Sequence, residues 1–260
     1  MPDPPARESA WVRFWHVPLR AERLAGMRIL LGGALLAEQF LQYLPHLLEF
    51  YGSAGIAPAG LHDRWQLRHW RWTVLFFNSD DPTTLYSVFA LWVAVTVGFV
   101  LGWRTRLMNV AVWFLTLCFV NRNPCVLNGS DDTLLVGLFL LMLMPSGRAW
   151  SLDARRLRRR SREQAAGPAY VPAWTVRVLQ IQLCLIYLST GLVKLKGTGW
   201  FEGTWWDGTS IHYVLNYIWM SRWSYAQLPL PFWMTAPLSY VSVWWEVLFP
   251  LLVLHRWTRR

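Results

Sequence analysis

Six predominantly apolar runs punctuate this chain, at residues 24–43, 83–101, 107–120, 132–144, 173–193 and 232–254. Crossing a bilayer as an α-helix takes about 20 residues at about 1.5 Å each. The first, second, fifth and sixth runs are long enough. The third and fourth are shorter and meet at "NRNPCVLNGSDD". Asn123–Pro124 interrupts a helix there, because proline lacks a donor and restricts the residue before it, and Asn128–Gly129 adds turn chemistry. The pattern predicts an irregular break within residues 121–132, close to Lys194, with its backbone groups satisfied by protein rather than lipid. Two tryptophan-rich stretches lie between runs. "LHDRWQLRHWRWTVLFF" sets Trp65, Arg68, His69 and Trp72 at helical spacing, and "TSIHYVLNYIWMSRWSY" does so with Ile211, Leu215, Ile218 and Trp219. Both predict amphipathic helices lying in the bilayer interface. The expected fold is an all-α membrane protein, a multi-pass helical bundle of about six spans with interfacial amphipathic helices, in one domain over residues 1–260.

Composition supports a membrane setting. Hydrophobic residues make up 54% of the chain and the mean hydropathy is +0.24, too apolar for an ordinary soluble domain. A net charge of +10 would suit nucleic acid, but the arginines fall in short clusters between apolar runs. Anionic lipid headgroups are therefore the expected counter-surface, and nucleic acid is not expected. The segment before the first run, "GWRTR", "SGRAWSLDARRLRRRSRE" and "HRWTRR" hold 16 of the 25 basic residues, whereas the alternate loops hold 7. The positive-inside rule then places both termini in the cytoplasm, in the cell inner membrane. The Arg-rich stretch 148–162 reads as a solvated cytoplasmic linker touching lipid headgroups. The N-terminus has no apolar core of a cleavable signal peptide. Cys118, Cys125 and Cys184 lack disulfide or zinc spacing and read as buried thiols, with a Cys118–Cys125 bridge as the weaker alternative. His62 and His69 have no acidic or cysteine companion, so no metal site is expected.

Candidate chemistry centres on "STGLVKLKGTGWFEGTWW". Among 25 basic side chains only Lys194 and Lys196 are lysines. Arginine stays charged at any accessible pH, whereas a desolvated lysine can lose its proton near neutrality. Arg177, Gln180, Cys184, Tyr187, Gly191 and Lys194 recur at steps of three and four, one helical stripe about 26 Å long that is expected to face the bundle interior. Glu38, Asp131, Asp132 and Glu246 are the candidate partners for Lys194. Asp131 and Asp132 either cap the fourth helix or pair with the lysine. Lys194 itself reads either as a base or as an anchor that snorkels to the interface, and Lys196 as an interface residue. Arg28 and Arg177 read as lipid anchors or as halves of a structural ion pair. His212 reads as a surface residue. The Asn128–Ser130 glycosylation motif lies too near the membrane to be used. No nucleophile elbow, phosphate loop or dinucleotide fingerprint occurs.

"VNRNPCVLNGSDDTLL", "FLLMLMPSGRAWSLD", "LQIQLCLIYLSTGLVKLKGTGWFEGT" and "WWEVLFP", in that order, resemble the HTTM domain. This is the transmembrane module of vitamin K-dependent gamma-carboxylase and its bacterial relatives, and the resemblance covers nearly the whole chain. It implies that Lys194 matches the lysine that deprotonates reduced vitamin K, whose oxygenation then yields the strong base for carboxylating glutamate. Lys194, Asp131 and Asp132 are the expected catalytic residues. Tyr187, Gly191, Trp200 and Asn128 are the expected contacts of a reduced, vitamin K-like quinone. Two departures matter. The carboxylase has a functional histidine about where this chain has Asp131 and Asp132. The family's large extracytoplasmic part and further helices after "WWEVLFP" are not in the sequence, so full glutamate carboxylation is not expected. Two function classes follow. One is a quinol- or lipid-linked enzyme with Lys194 as base at the outer leaflet, a carboxylase-like or quinone-linked lyase or oxidoreductase. The other is a non-catalytic membrane module that assembles with or matures a secreted or membrane partner.

Overall fold

A computed structural model describes residues 9–56, 73, 75, 81–126, 129–160, 167–197, 205–216 and 230–254. The chain divides into two compact units, Met1–Arg177 and Val178–Arg260. Among the described residues, four helices are long and apolar enough to cross a membrane: Glu22–Tyr43, Pro82–Leu101, Trp174–Lys196 and Phe232–Val253. They coincide with the four long apolar runs.

The first unit opens with α1 (Ala10–His16), capped by the Ser9 hydroxyl. Then come α2 (Glu22–Glu38), which continues into one π-helical turn at Gln39–Tyr43, and α3 (Leu47–Tyr51). α4 (Pro82–Leu101) carries its own start and stop signals. Asp81 accepts hydrogen bonds from the Thr84 N–H at 2.8 Å and its hydroxyl at 2.9 Å, Pro82 opens the helix, and Gly102 ends it at φ 69°. The Thr84 N–H and hydroxyl hold the Asp81 carboxyl below its ordinary range. α5 (Thr105–Arg122) stops where the sequence breaks. Asn123 is extended, Pro124–Val126 forms a 3₁₀ turn, and α6 (Gly129–Met142) begins after it. Asn123 is fully buried; its Nδ2 donates to the Phe50 carbonyl at 2.6 Å and its Oδ1 accepts from the Cys125 N–H at 3.0 Å. The helical break thus lies where the pattern predicted it, and Asn123 ties it to protein.

Small residues and aromatics build the core of this unit. At Gly32 an added Cβ would come within 2.5 Å of Val100, so only glycine lets α2 approach α4 this closely. Trp92 of α4 stacks on Phe119 of α5 at 4.4 Å, and Tyr43 meets Trp92 edge-on at 5.2 Å. Two polar groups among them bond between elements: Trp92 Nε1 donates to Thr116 Oγ1 at 3.0 Å, and Gln39 Nε2 to Thr96 Oγ1 at 3.1 Å. Such bonds matter where no water can substitute.

Several expectations need correction. The fold is not purely helical: β1 (Pro18–Arg20) pairs antiparallel with β2 (Tyr170–Pro172), two three-residue strands outside every apolar run. The Arg-rich stretch, expected as a solvated linker, carries a solvent-exposed helix, α7 (Leu152–Arg160). Ser151 caps it by accepting from the Ala154 N–H at 2.9 Å, and its arginines crowd the C-terminal turn, where the helix dipole favours them. Arg28 is neither a lipid anchor nor half of an ion pair. It is fully buried in α2 and donates to the carbonyls of Ser146 at 2.6 Å, Trp150 at 2.6 Å and Ala149 at 3.5 Å. Arg177 lies over the Phe14 ring at 3.8 Å. Cys118 is buried, Cys125 exposed, and none of the three cysteines forms a disulfide.

The same end of the unit holds a second clamp. Asp153 accepts from the Arg104 N–H at 2.9 Å, the Thr105 N–H at 2.7 Å and the Thr105 hydroxyl at 2.8 Å, capping α5 from a distance in sequence. Burial works against this charge, but the bonds from Thr105 and Arg104 outweigh it and hold the carboxyl below its ordinary range.

The second unit contains the larger part of α8 (Trp174–Lys196), then α9 (Thr209–Asn216) and α10 (Phe232–Leu254). Asp207 caps α9; the Thr209 hydroxyl at 2.6 Å and N–H at 2.8 Å hold its carboxyl below the ordinary range. α9 forms where the second interfacial helix was predicted. Ile218, Trp219 and the first candidate's Trp65, Arg68, His69 and Trp72, with His62, lie outside the described residues.

Candidate functional site

Lys194 ends a helical row that faces α10. One turn back, Gly191 is buried, and a Cβ there would lie 2.8 Å from the Val247 side chain and 3.1 Å from Glu246 Cβ. That close approach brings Glu246 alongside the lysine. Lys194 Nζ donates to Glu246 Oε1 at 2.6 Å, with the two side chains 20% and 16% exposed. One further turn down, Tyr187 stacks on Phe249 at 4.3 Å.

Trp205 covers the ammonium, its ring centroid 4.2 Å from Nζ. The electron-rich face of an indole stabilises a desolvated cation. Five bonds fix the segment that carries it. Trp206 Nε1 donates to the Leu195 carbonyl at 3.0 Å, and Tyr240 donates to the Trp206 carbonyl at 2.9 Å. Ser239 donates to the Gly208 carbonyl at 3.0 Å and accepts from the Ile211 N–H at 3.1 Å. His212 meets Thr235 Oγ1 at 3.0 Å, so it is docked on α10 rather than lying free on the surface. Gly208, at φ 80°, rests on Ala236 with no room for a side chain.

The pair is satisfied on one side only. Glu246 Oε2 is shielded from solvent and has no hydrogen-bond partner among the described residues. A shielded carboxylate oxygen without a donor costs about 1–3 kcal/mol or more, and a ligand with an acidic hydroxyl would supply one. The site thus joins an amine, a carboxylate with a spare acceptor, and aromatic walls.

The other expected residues fall as follows. Asp131 and Asp132 sit in the first turn of α6, in the first unit, where acids favour a helix start. Asp131 is buried and accepts from the Tyr43 hydroxyl at 3.2 Å; Asp132 is exposed. Glu38 accepts from Ser130 at 2.9 Å. Lys194 therefore has Glu246 as its carboxylate, and Asp131 has Tyr43. Trp200 and Asn128 lie outside the described residues. The stripe holds at Tyr187, Gly191 and Lys194, whereas Gln180 is exposed. Trp205, Tyr240 and Ser239 were not singled out. The only hint of them was the aromatic pair in "GTWWDGTS", which periodicity does not score.

Residues 60–260 match the HTTM domain family. The chain is 25% identical to the uncharacterized protein YitO of Bacillus subtilis (strain 168) over 134 residues, covering 50% of this chain and 41% of that protein. It thus spans less than half the length of that relative. No solved structure matches it.

Proposed function

Because the chain belongs to the HTTM domain family, a membrane module related to vitamin K-dependent gamma-carboxylase, we propose that it is a quinol- or lipid-linked membrane enzyme with Lys194 as its base. The observation that carries this reading is the Lys194–Glu246 pair, with Nζ under Trp205 and Oε2 without a donor among the described residues. The residues fit a reduced, vitamin K-like quinone: Trp205, Tyr187 and Phe249 offer aromatic surface, and Glu246 Oε2 offers an acceptor for a ring hydroxyl. When bound, such a quinol would supply the acidic hydroxyl and the capacity to react with oxygen. In its neutral amine form Lys194 would take up the hydroxyl proton, becoming the ammonium that Glu246 pairs with and the Trp205 ring stabilises.

The reading includes a topology. α5 and α6 make two further crossings shorter than the rest, giving six, both termini are cytoplasmic, and Lys194 lies toward the outer face of the inner membrane. Surface labelling of intact cells should then modify a cysteine placed at the exposed Tyr213 but not one at Arg159. The reverse pattern overturns the orientation.

Lys194→Arg is the decisive variant, since guanidinium keeps the charge but cannot act as a base. Activity should vanish at unchanged expression, and a quinone should co-purify with the wild-type protein by mass spectrometry. The close ion pair also favours a second reading, in which it pins α8 to α10 in a non-catalytic module that assembles with or matures a secreted or membrane partner. Full function in Lys194→Arg, with a protein rather than a quinone co-purifying, selects that reading.

A further inference from the structure

The start of α2, the end of α4 and α7 surround a cleft of about 570 Å³. Arg155 and Arg158, one turn apart on α7, line it together with Glu22. Glu22 Oε1 accepts from Arg20 at 3.1 Å, whereas Oε2 is shielded and has no partner among the described residues. Trp150, also at the cleft, is 63% exposed and adopts φ 47°, a left-handed conformation that non-glycine residues rarely occupy. Its indole is thereby held at the rim.

The position of the cleft identifies its environment. Glu22 is the first residue of one helix long enough to cross a membrane, and Leu101 is the last residue of another. Both line the cleft, so it lies where hydrocarbon gives way to headgroups, the depth that tryptophan and arginine prefer. We infer that this cleft binds one phospholipid headgroup and selects those whose phosphate carries a terminal hydrogen-bond donor, an ethanolamine ammonium or a glycerol hydroxyl, over choline. Two guanidinium groups on one helix face suit a phosphate. The Glu22 carboxylate, which lines the cleft and is partly exposed, takes the terminal donor, which the methyl groups of choline cannot provide. Leu101 and Trp150 continue the surface toward the acyl chains. The volume is that of a small-molecule site. This inference is independent of the chemistry at Lys194.

The full chain, purified in detergent, is titrated with short-chain phosphatidylethanolamine, phosphatidylglycerol and phosphatidylcholine, and separately with glycerol phosphate; retained lipid is counted by native mass spectrometry. The first two should bind about tenfold tighter than phosphatidylcholine, in keeping with one charge-assisted hydrogen bond. Arg155→Gln with Arg158→Gln should lose retention of all three lipids, while its thermal unfolding without lipid stays unchanged because both side chains are exposed. Glu22→Gln should bring ethanolamine close to choline while phosphate-dependent retention persists. Equal binding of phosphatidylcholine by the wild-type chain overturns the selectivity and needs no variant. Undiminished retention in the double arginine variant overturns the site. Competition by glycerol phosphate as strong as that by the lipids moves the ligand from the bilayer to solution and overturns the inference.

Discussion

Arg28 in the first unit and Lys194 in the second are both basic side chains set into apolar helices, yet their surroundings differ in kind. Arg28 is fully buried, is hydrogen-bonded to no carboxylate among the described residues, and donates to backbone carbonyls of the 146–150 turn. Lys194 is one-fifth exposed, faces a carboxylate, and lies under an indole. In the first case the two terminal guanidinium nitrogens close the fold, and Nε alone lacks a partner among the described residues. In the second the carboxylate keeps an oxygen that has no partner among the described residues. Intramembrane charge is therefore an incomplete guide to function; what distinguishes the two is whether an acceptor is left over.

The largest effect should come from emptying the first environment. Arg28→Leu strands the Ser146 and Trp150 carbonyls without donors and should cost about 3–5 kcal/mol, read as a lowered unfolding midpoint in mixed micelles. A near-neutral result would mean that Arg28 is not structural, and the contrast with Lys194 would collapse. Gly191→Ala comes next. The new Cβ meets Val247 on a neighbouring backbone, so overpacking should cost about 1–3 kcal/mol and separate Lys194 from Glu246. Unchanged stability and function together would show that the close approach is not required.

Asp153→Asn should be smaller, about 1 kcal/mol, as for a lost helix cap. Its sign with pH is fixed by the direction of its shift. The folded carboxyl lies below its ordinary range, so its contribution is complete above about pH 4, near the unfolded value, and fades as pH falls through the folded one. The variant should therefore lose the acid-dependent part of that unfolding curve. The smallest effect on stability should come from replacing both members of the second environment. Lys194→Met with Glu246→Leu removes a desolvated pair without leaving either charge alone, so folding should be neutral or improved while function is lost. Loss of folded protein instead would make the pair structural, like Arg28.

The helices that cross, and the break between α5 and α6, were legible because run length, proline geometry and turn residues act locally. The Tyr187–Gly191–Lys194 face was legible for the same reason, since spacing alone aligns it. Arg28 was not, because its partners are carbonyls more than a hundred residues away and carbonyls leave no trace in a sequence. α7 was missed because an arginine run reads as solvated whether or not it is helical. Trp205 was missed because a turn, fastened by Tyr240 and Ser239, places it.

The distance in sequence between Arg28 and its acceptors has a consequence for synthesis. They are 118 to 122 residues apart. During translation the first apolar helix therefore carries an unmatched guanidinium through the insertion of everything up to Trp150. A nascent chain halted before Ser146 should hold that helix only loosely and expose it to membrane proteases, whereas one halted after Trp150 should become resistant. The order of biogenesis, not only the final packing, is thus written into one side chain.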